Sequence, residues 1–381
     1  MSMRGFPSLV CAVVFAGLLT TACQASNRWP AWEGYQQAFI SSDGRVIDRS
    51  QTDLRTVSEG QAYALFFALV AGDRQRFDQL LKWTEDNLSK GDLSRTLPAW
   101  IWGRQGEQWG VIDPNSASDA DLWISYVLLE AGRLWCNPAY QAKAQAVGQL
   151  ILQHETLTVD GLGVSVLPGP QGFVAADGTV RLNPSYVPPF LMMRLAQAWP
   201  DDARWAQLYL GSQHLLLASV RDGAFPDWVE VTHGQVTWAG DDRRGDYDAI
   251  RTYLWIGLTP STDPVLGALK QQTRPVLNIL RAQQSMPEWF ESGDKVTPAD
   301  HAGPEGFQVA MAPYAASQGE PVLAAALLKQ GLRQASREAW VAYGYYNASL
   351  TLFGEAAMDK RFTIGSHGEL IPAWKGANPC S

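Results

Sequence analysis

The sequence predicts an all-α body whose helices return on one another in pairs, stacked as a solenoid or closed as a toroid. Three observations carry this expectation. Apolar residues recur near every 3.6 positions in about eleven segments of ordinary helix length. Strand-like alternation is confined to two short patches. No Pro/Ser/Gly-rich or charge-rich stretch long enough to separate domains interrupts the chain after residue 28. A length of 381 residues suits one large toroid, so the expected organisation is a signal over residues 1–25 and a single domain over 26–381.

In chain order, the first 25 residues read as an export signal. Arg4 supplies a short positive region, Leu9 to Leu19 an apolar run, and Ala22, Cys23 and Ala25 a small-residue cleavage region. The run is too short to span a bilayer stably. Cleavage after Ala25 releases a protein into the periplasm or medium. Lipoprotein anchoring through Cys23 is the less favoured alternative, because Thr20 stands where a large aliphatic residue is expected.

Helices are expected over Glu59–Val70, Arg74–Leu88, Ala120–Leu134, Tyr140–Gln153, Pro189–Ala198, Ala203–Ala218, Ala249–Leu258, Pro264–Arg281, Gly306–Ala316, Pro321–Leu332 and Arg337–Phe353. One β patch joins Gly163–Leu167 with Phe173–Ala175 and Thr179–Leu182, where Asp177-Gly178 is a hairpin signal; the second spans Trp228–Trp238. No repeat of fixed period is visible, so the helical pairs repeat in structure rather than in sequence.

Composition narrows the function. Net charge is −8 with Lys and Arg interspersed, so no basic stripe fits a nucleic acid. The 16 Trp are more than a core of this size needs, and a flat indole packs well on the C–H face of a sugar ring. Of 4 Cys, only Cys136 and Cys380 clearly belong to the mature chain, which allows one disulfide without implying it. The 5 His show no paired-ligand spacing, so neither a metal nor another cofactor is expected. A GxSxG elbow, a P-loop and a GxGxxG turn are all missing from the sequence.

Four carboxylates stand out. Asp119 and Asp121 open the helix that continues through Leu128, Leu129, Ala131 and Trp135, and the dipole at a helix start favours negative charge there. Paired carboxylates on a rigid element suit acid/base work. Glu59 also opens a helix, where pattern alone reads as a capping box with Thr56 at the N-cap. Asp119 reads equally as an N-cap. Asp248 reads as one half of an i,i+3 surface ion pair with Arg251. Taken together they differ from chance, because each acid begins a helix with Tyr or Trp nearby, and helix starts in a toroid gather at one rim.

The run Ala117-Ser118-Asp119-Ala120-Asp121, followed by Trp123, Ala131 and Trp135, closely resembles the signature of glycoside hydrolase family 8; Ser125 stands where that family usually has alanine. The resemblance extends through Ser58-Glu59-Gly60, Pro98-Ala99-Trp100-Ile101-Trp102, Asn183-Pro184-Ser185-Tyr186, Pro226-Asp227-Trp228-Val229, Tyr247-Asp248-Ala249-Ile250-Arg251 and Gly344-Tyr345-Tyr346-Asn347. It implies an (α/α)6 barrel of helical hairpins with small β excursions, hydrolysing a β-1,4-glucan with inversion. It also implies Glu59 as general acid, Asp248 as general base and Asp119 as the residue that binds and distorts the sugar at the cleavage point. Trp100, Trp102 and Trp228 are then candidate stacking platforms. Asp121, Tyr186, Arg251, Tyr345 and Tyr346 are candidate polar contacts.

The members it most resembles accompany bacterial cellulose secretion, which implies cellulose chains as substrate and an association with a cellulose synthase export complex. The competing expectations are a family member acting on xylan, chitosan or mixed-linkage glucan, and a silent glycan-binding protein that keeps the aromatic cleft.

Overall fold

The computed structural model describes residues 28–240, 243–334 and 337–375. Residues 1–25, read above as a signal, lie outside them, as does Cys380; Cys136 is disulfide-bonded. Among the described residues the helices are α1 (Pro30–Phe39), α2 (Ser58–Ala71), α3 (Arg74–Leu88), α4 (Ser118–Leu134), α5 (Pro138–His154), α6 (Pro189–Ala198), α7 (Ala203–Ser219), α8 (Ala249–Leu258), α9 (Leu266–Gln272), α10 (Arg274–Gln283), α11 (Glu305–Ser317), α12 (Pro321–Gln334) and α13 (Arg337–Met358).

Two kinds of helix alternate, and their composition explains why. The segment Ser58–Ala71 is apolar nearly all round and is buried along almost its whole length, as are α4, α8 and α11. A helix without a polar face has to be enclosed. By contrast α3 is amphipathic, burying Phe77, Leu80, Leu81, Thr84 and Leu88 while its charged side faces water. The enclosed helices contact one another in the cycle α2, α4, α6, α8, α11, α13 and back to α2, and α3, α5, α7 and α12 pack outside them. This is the closed (α/α)6 arrangement. At its centre Phe66 of α2, Trp123 of α4, Trp255 of α8 and Phe353 of α13 meet edge to face, tilted or stacked, with ring centroids 5.1–5.3 Å apart.

Side chains cap the outer helices. Asp73 accepts the N–H of Arg76 at 3.0 Å, and Asn137 that of Ala139 at 3.0 Å. Ser125, the departure from the family signature, is buried where α4 meets α5 and donates to the carbonyl of Ala144 at 3.0 Å.

The structure differs from expectation in several places: α1 lies where no helix was expected, and the pairings of Arg244–Gly245 with Phe290–Glu291 and of Phe362–Ile364 with Leu370–Pro372 were not foreseen. The helix expected over Pro264–Arg281 breaks at Thr273, because Pro275 has no N–H to continue the ladder, so α9 and α10 are separate. α13 contains Gly344 at φ +82°, where an added Cβ would also meet Ser50 Oγ at 2.9 Å and Asp48 Oδ1 at 3.0 Å; a new inner helix therefore starts at Tyr345. Gly163–Val166 pairs with Thr156–Val159, not with the Phe173–Leu182 hairpin, whose outer strand Val180–Leu182 joins Val229–Thr232 and Gln235–Trp238. An unforeseen sheet joins β1 (Thr56–Val57), β2 (Ile101–Gln105) and β3 (Gln108–Asp113) directly before α2.

Candidate active site

The inner helices start at one rim, so residues far apart in sequence meet there. Arg251, in the first turn of α8 and only 2% exposed, is the hub. Its Nη1 donates to Glu59 Oε2, to Asp119 Oδ2 at 3.1 Å and to the Tyr63 hydroxyl at 3.4 Å. Its Nη2 donates to Asp248 Oδ1 at 2.5 Å and to Ser185 Oγ at 2.8 Å. The Tyr345 hydroxyl donates to Glu59 Oε1 at 2.8 Å. The i,i+3 pair of Asp248 and Arg251 thus forms, but as part of a buried network and not as a surface ion pair.

Neither capping expectation holds. Thr56 lies in β1 with its hydroxyl donating to the Val46 carbonyl at 2.6 Å, so Glu59 has no capping partner and faces the cluster. Asp119 follows the N-cap position, which belongs to Ala117. Its Oδ1 takes the N–H of Ala120 at 2.7 Å and its Oδ2 points to Arg251.

One guanidinium serves three carboxyl groups, so full ionisation would leave uncompensated negative charge in a buried place, and one group keeps its proton. That group is Glu59. Burial pushes it up to about 8; Arg251 and the Tyr345 bond oppose the shift, while Asp119 and Asp248 reinforce it. Burial also raises Asp248, opposed by Arg251 and reinforced by Asp119. The side chain of Asp248 is 27% exposed against 11% for Glu59, so water reaches it more readily. The arrangement can therefore give up a proton at one carboxyl and take one from water at another.

Asp121 is placed differently from its expected role. It is fully buried near Glu155 with neither carboxyl oxygen hydrogen-bonded among the described residues, and Glu155 accepts from Ser116 Oγ at 2.5 Å. Burial raises both carboxyls, Glu155 to about 8, and the charge of Glu155 raises Asp121 further. Positions i and i+2 of a helix do not share a face, so Asp119 at the rim puts Asp121 behind it.

The aromatic candidates also divide. Trp100 is 45% exposed, and its carbonyl accepts the N–H of Ser58 at 3.0 Å, which sets it beside the start of α2. Trp102 is partly buried and packed on several sides: Trp109 stacks on it at 5.4 Å, Trp83 meets it edge-on at 5.5 Å, and the Arg45 guanidinium lies 4.4 Å from its ring centre. Trp228 is partly exposed, with Phe173 stacked at 6.1 Å and Arg181 at 4.7 Å. The rings of Tyr186 and Tyr346 lie 5.4 and 5.8 Å from the Arg251 guanidinium.

Sequence reasoning missed Tyr63, Ser185 and Asp227. Ser185 sat inside a motif already singled out, and a hydroxyl next to Asn183, whose Oδ1 takes both the N–H of Ser185 at 2.9 Å and its Oγ at 2.7 Å, was a readable signal. Tyr63 lies one turn after Glu59, on the same helix face, and could have been found from that spacing. Among the described residues no group of His, Cys, Asp and Glu could hold a metal ion, and no helix is long and apolar enough to cross a membrane.

Comparison with known proteins gives the family of the chain. The model for glycosyl hydrolases family 8 matches residues 6–360. An endoglucanase of Xanthomonas axonopodis pv. citri (strain 306) is 40% identical over 370 residues, 96% of this chain and 94% of that protein. An endoglucanase of Escherichia coli (strain K12) is 38% identical over 360 residues, 94% of each. The crystal structure of an endo-1,4-D-glucanase from Vibrio fischeri ES114 superposes with a TM-score of 0.86 at 40% identity, covering 91% of this chain and 99% of that one.

Proposed function

The chain belongs to glycosyl hydrolase family 8, and on that premise we propose that it is an inverting endo-β-1,4-glucanase. Glu59 is the general acid, Asp248 the general base, and Asp119 holds the sugar at the point of cleavage. The observation that carries this reading is the asymmetry within one network: Arg251 contacts both carboxyls, but burial pushes Glu59 up to about 8, whereas the side chain of Asp248 is the more exposed of the two.

In a single displacement Glu59 gives its proton to the leaving glycosidic oxygen as that bond breaks. Asp248 takes a proton from the water that attacks the opposite face of the anomeric carbon, a displacement for which inverting enzymes in general keep roughly 6.5 to 9.5 Å between their two carboxyls. The next cycle returns a proton from solvent to Glu59 and removes one from Asp248. Trp100 supports a glucose ring next to the start of α2, and Tyr345 orients Glu59 through its 2.8 Å bond.

The substrate is a soluble or nascent cellulose chain, and residues 26–381 act as one catalytic unit. The periplasm is the proposed compartment and a cellulose synthase export complex the proposed functional partner; the export-signal pattern before residue 26 supports the first. A reducing-sugar and viscosity assay on carboxymethyl cellulose, xylan and chitosan tests the activity. Rapid loss of viscosity with carboxymethyl cellulose alone is expected. Faster hydrolysis of xylan or chitosan would replace the substrate, and binding without hydrolysis would replace the enzyme by a glycan-binding protein.

A further inference from the structure

The turn that carries Asp248 is held in place by a residue from another segment. Asp248 occupies the N-cap position of α8 but makes no side-chain cap bond, because its carboxylate is turned to Arg251. A helix start normally satisfies its free N–H groups with its own N-cap side chain. Here the acceptor is Asp227, just ahead of the strand Val229–Thr232. Its Oδ1 takes the N–H of Asp246 at 2.8 Å, of Asp248 at 3.1 Å and of Ala249 at 2.8 Å. Its own N–H donates to the carbonyl of Arg244 at 3.4 Å, so the two segments are tied in both directions. Arg244 and Gly245 in turn pair with Phe290 and Glu291, which fixes the near side of the turn to a small sheet.

We propose that Asp227 is a positioning residue for the reaction: it caps α8 from outside, frees the carboxylate of Asp248 from capping duty, and sets that carboxylate at the angle from which it takes a proton from water. The proposal rests on the reading of Asp248 as the base. Asp227 does this as a neutral group. Burial, the neighbouring Asp246 and repulsion from Asp248 push it up to about 9, so Oδ1 accepts the three amides while the carboxyl keeps its proton. A neutral cap leaves the base without a further negative charge beside it. Asparagine reproduces this pattern, with Oδ1 accepting and Nδ2 donating; alanine removes it.

Asp227→Ala, Asp227→Asn and Asp248→Asn are compared for kcat and KM on cellohexaose and for thermal stability. A catalytic group misplaced by a fraction of an ångström to an ångström loses about tenfold to a hundredfold in rate. Asp227→Ala is therefore expected to lower kcat by about that factor with KM changed less than about twofold, and Asp227→Asn to restore kcat to within about threefold. If Asp227→Ala does not fold, Asp227→Ser, with one shorter acceptor, takes its place and is expected to fall below Asp227→Asn in kcat. A folded Asp227→Ala with the kcat of the unaltered protein overturns the proposal, whatever its melting temperature. Equal losses in Asp227→Asn and Asp227→Ala overturn it too, since charge rather than the acceptor pattern would then matter. Asp248→Asn separates the two levels: turnover retained there overturns the base reading itself, whereas an inactive Asp248→Asn beside a fully active Asp227→Ala overturns only the role of Asp227.

Discussion

Replacing Glu59 by glutamine removes a carboxyl that the fold holds protonated, and the consequence for stability follows from linkage. Its folded pKa of about 8 lies above the ordinary glutamate value of 4.5, so folding takes up a proton. Stability from this group is complete below about pH 4.5 and is lost as pH rises toward about 8. Between pH 4 and pH 7 the loss integrates to about 3 kcal/mol, an upper figure because Arg251 remains to be satisfied in either form. Glutamine carries no such dependence. Glu59→Gln should therefore match the unaltered protein at pH 4 and melt higher at pH 7, by about 4 °C for a domain of this length. It should also lack measurable turnover on carboxymethyl cellulose at every pH. Differential scanning calorimetry across pH 4–8 with a parallel reducing-sugar assay reads both. A variant that melts lower at pH 7 than the unaltered protein, or that keeps most of its activity, would refute the assignment of a buried protonated acid.

Other outcomes follow from the same site. Trp100→Ala should weaken binding of cello-oligosaccharides by about 1 to 3 kcal/mol with little change in melting temperature, whereas Trp102→Ala, packed by Trp83, Trp109 and Arg45, should cost about 3 to 5 kcal/mol of stability. Calorimetric titration with cellopentaose beside thermal melts distinguishes the two, and equal behaviour would contradict the packed placement of Trp102 between Trp83, Trp109 and Arg45. Tyr345→Phe removes a hydrogen bond that holds the Glu59 pKa down, so the alkaline limb of kcat/KM should move to higher pH; a limb that moves down or stays would assign it to another group.

Much of the fold was legible because helix burial leaves a composition signature. Glu59–Val70 is apolar nearly all round, whereas Ala120–Leu134 and Arg74–Leu88 carry an apolar face, so each read as a helix, but which helices would be enclosed was not read from the sequence. Boundaries failed where one residue acts on the backbone: Pro275 ends a ladder, and Gly344 adopts a positive φ within a continuous apolar period. The first sheet was missed because β1 is two residues long and its partners are split by a glycine turn at Gly106.

At the site, the acids were legible as helix starts, but their meeting was not. Glu59 and Arg251 are 192 residues apart, and no local period records that contact. Asp121 shows the reverse: helical geometry alone turns it away from Asp119, so its separate placement was readable from spacing, while its neighbour Glu155 was not. Thr56 illustrates how tertiary structure overrides a local motif, since pairing with β2 draws it into a strand and leaves Glu59 free of its cap.

The central claim is that Glu59 and Asp248 act on opposite faces of one bond, in a single displacement with water between base and sugar. Proton NMR of freshly cleaved cellohexaose tests it most directly, because the anomeric form released first records the face of attack before mutarotation blurs it. The account predicts the α-anomer first. Appearance of the β-anomer first would contradict it, and would make Asp248 a nucleophile that forms a covalent glycosyl intermediate.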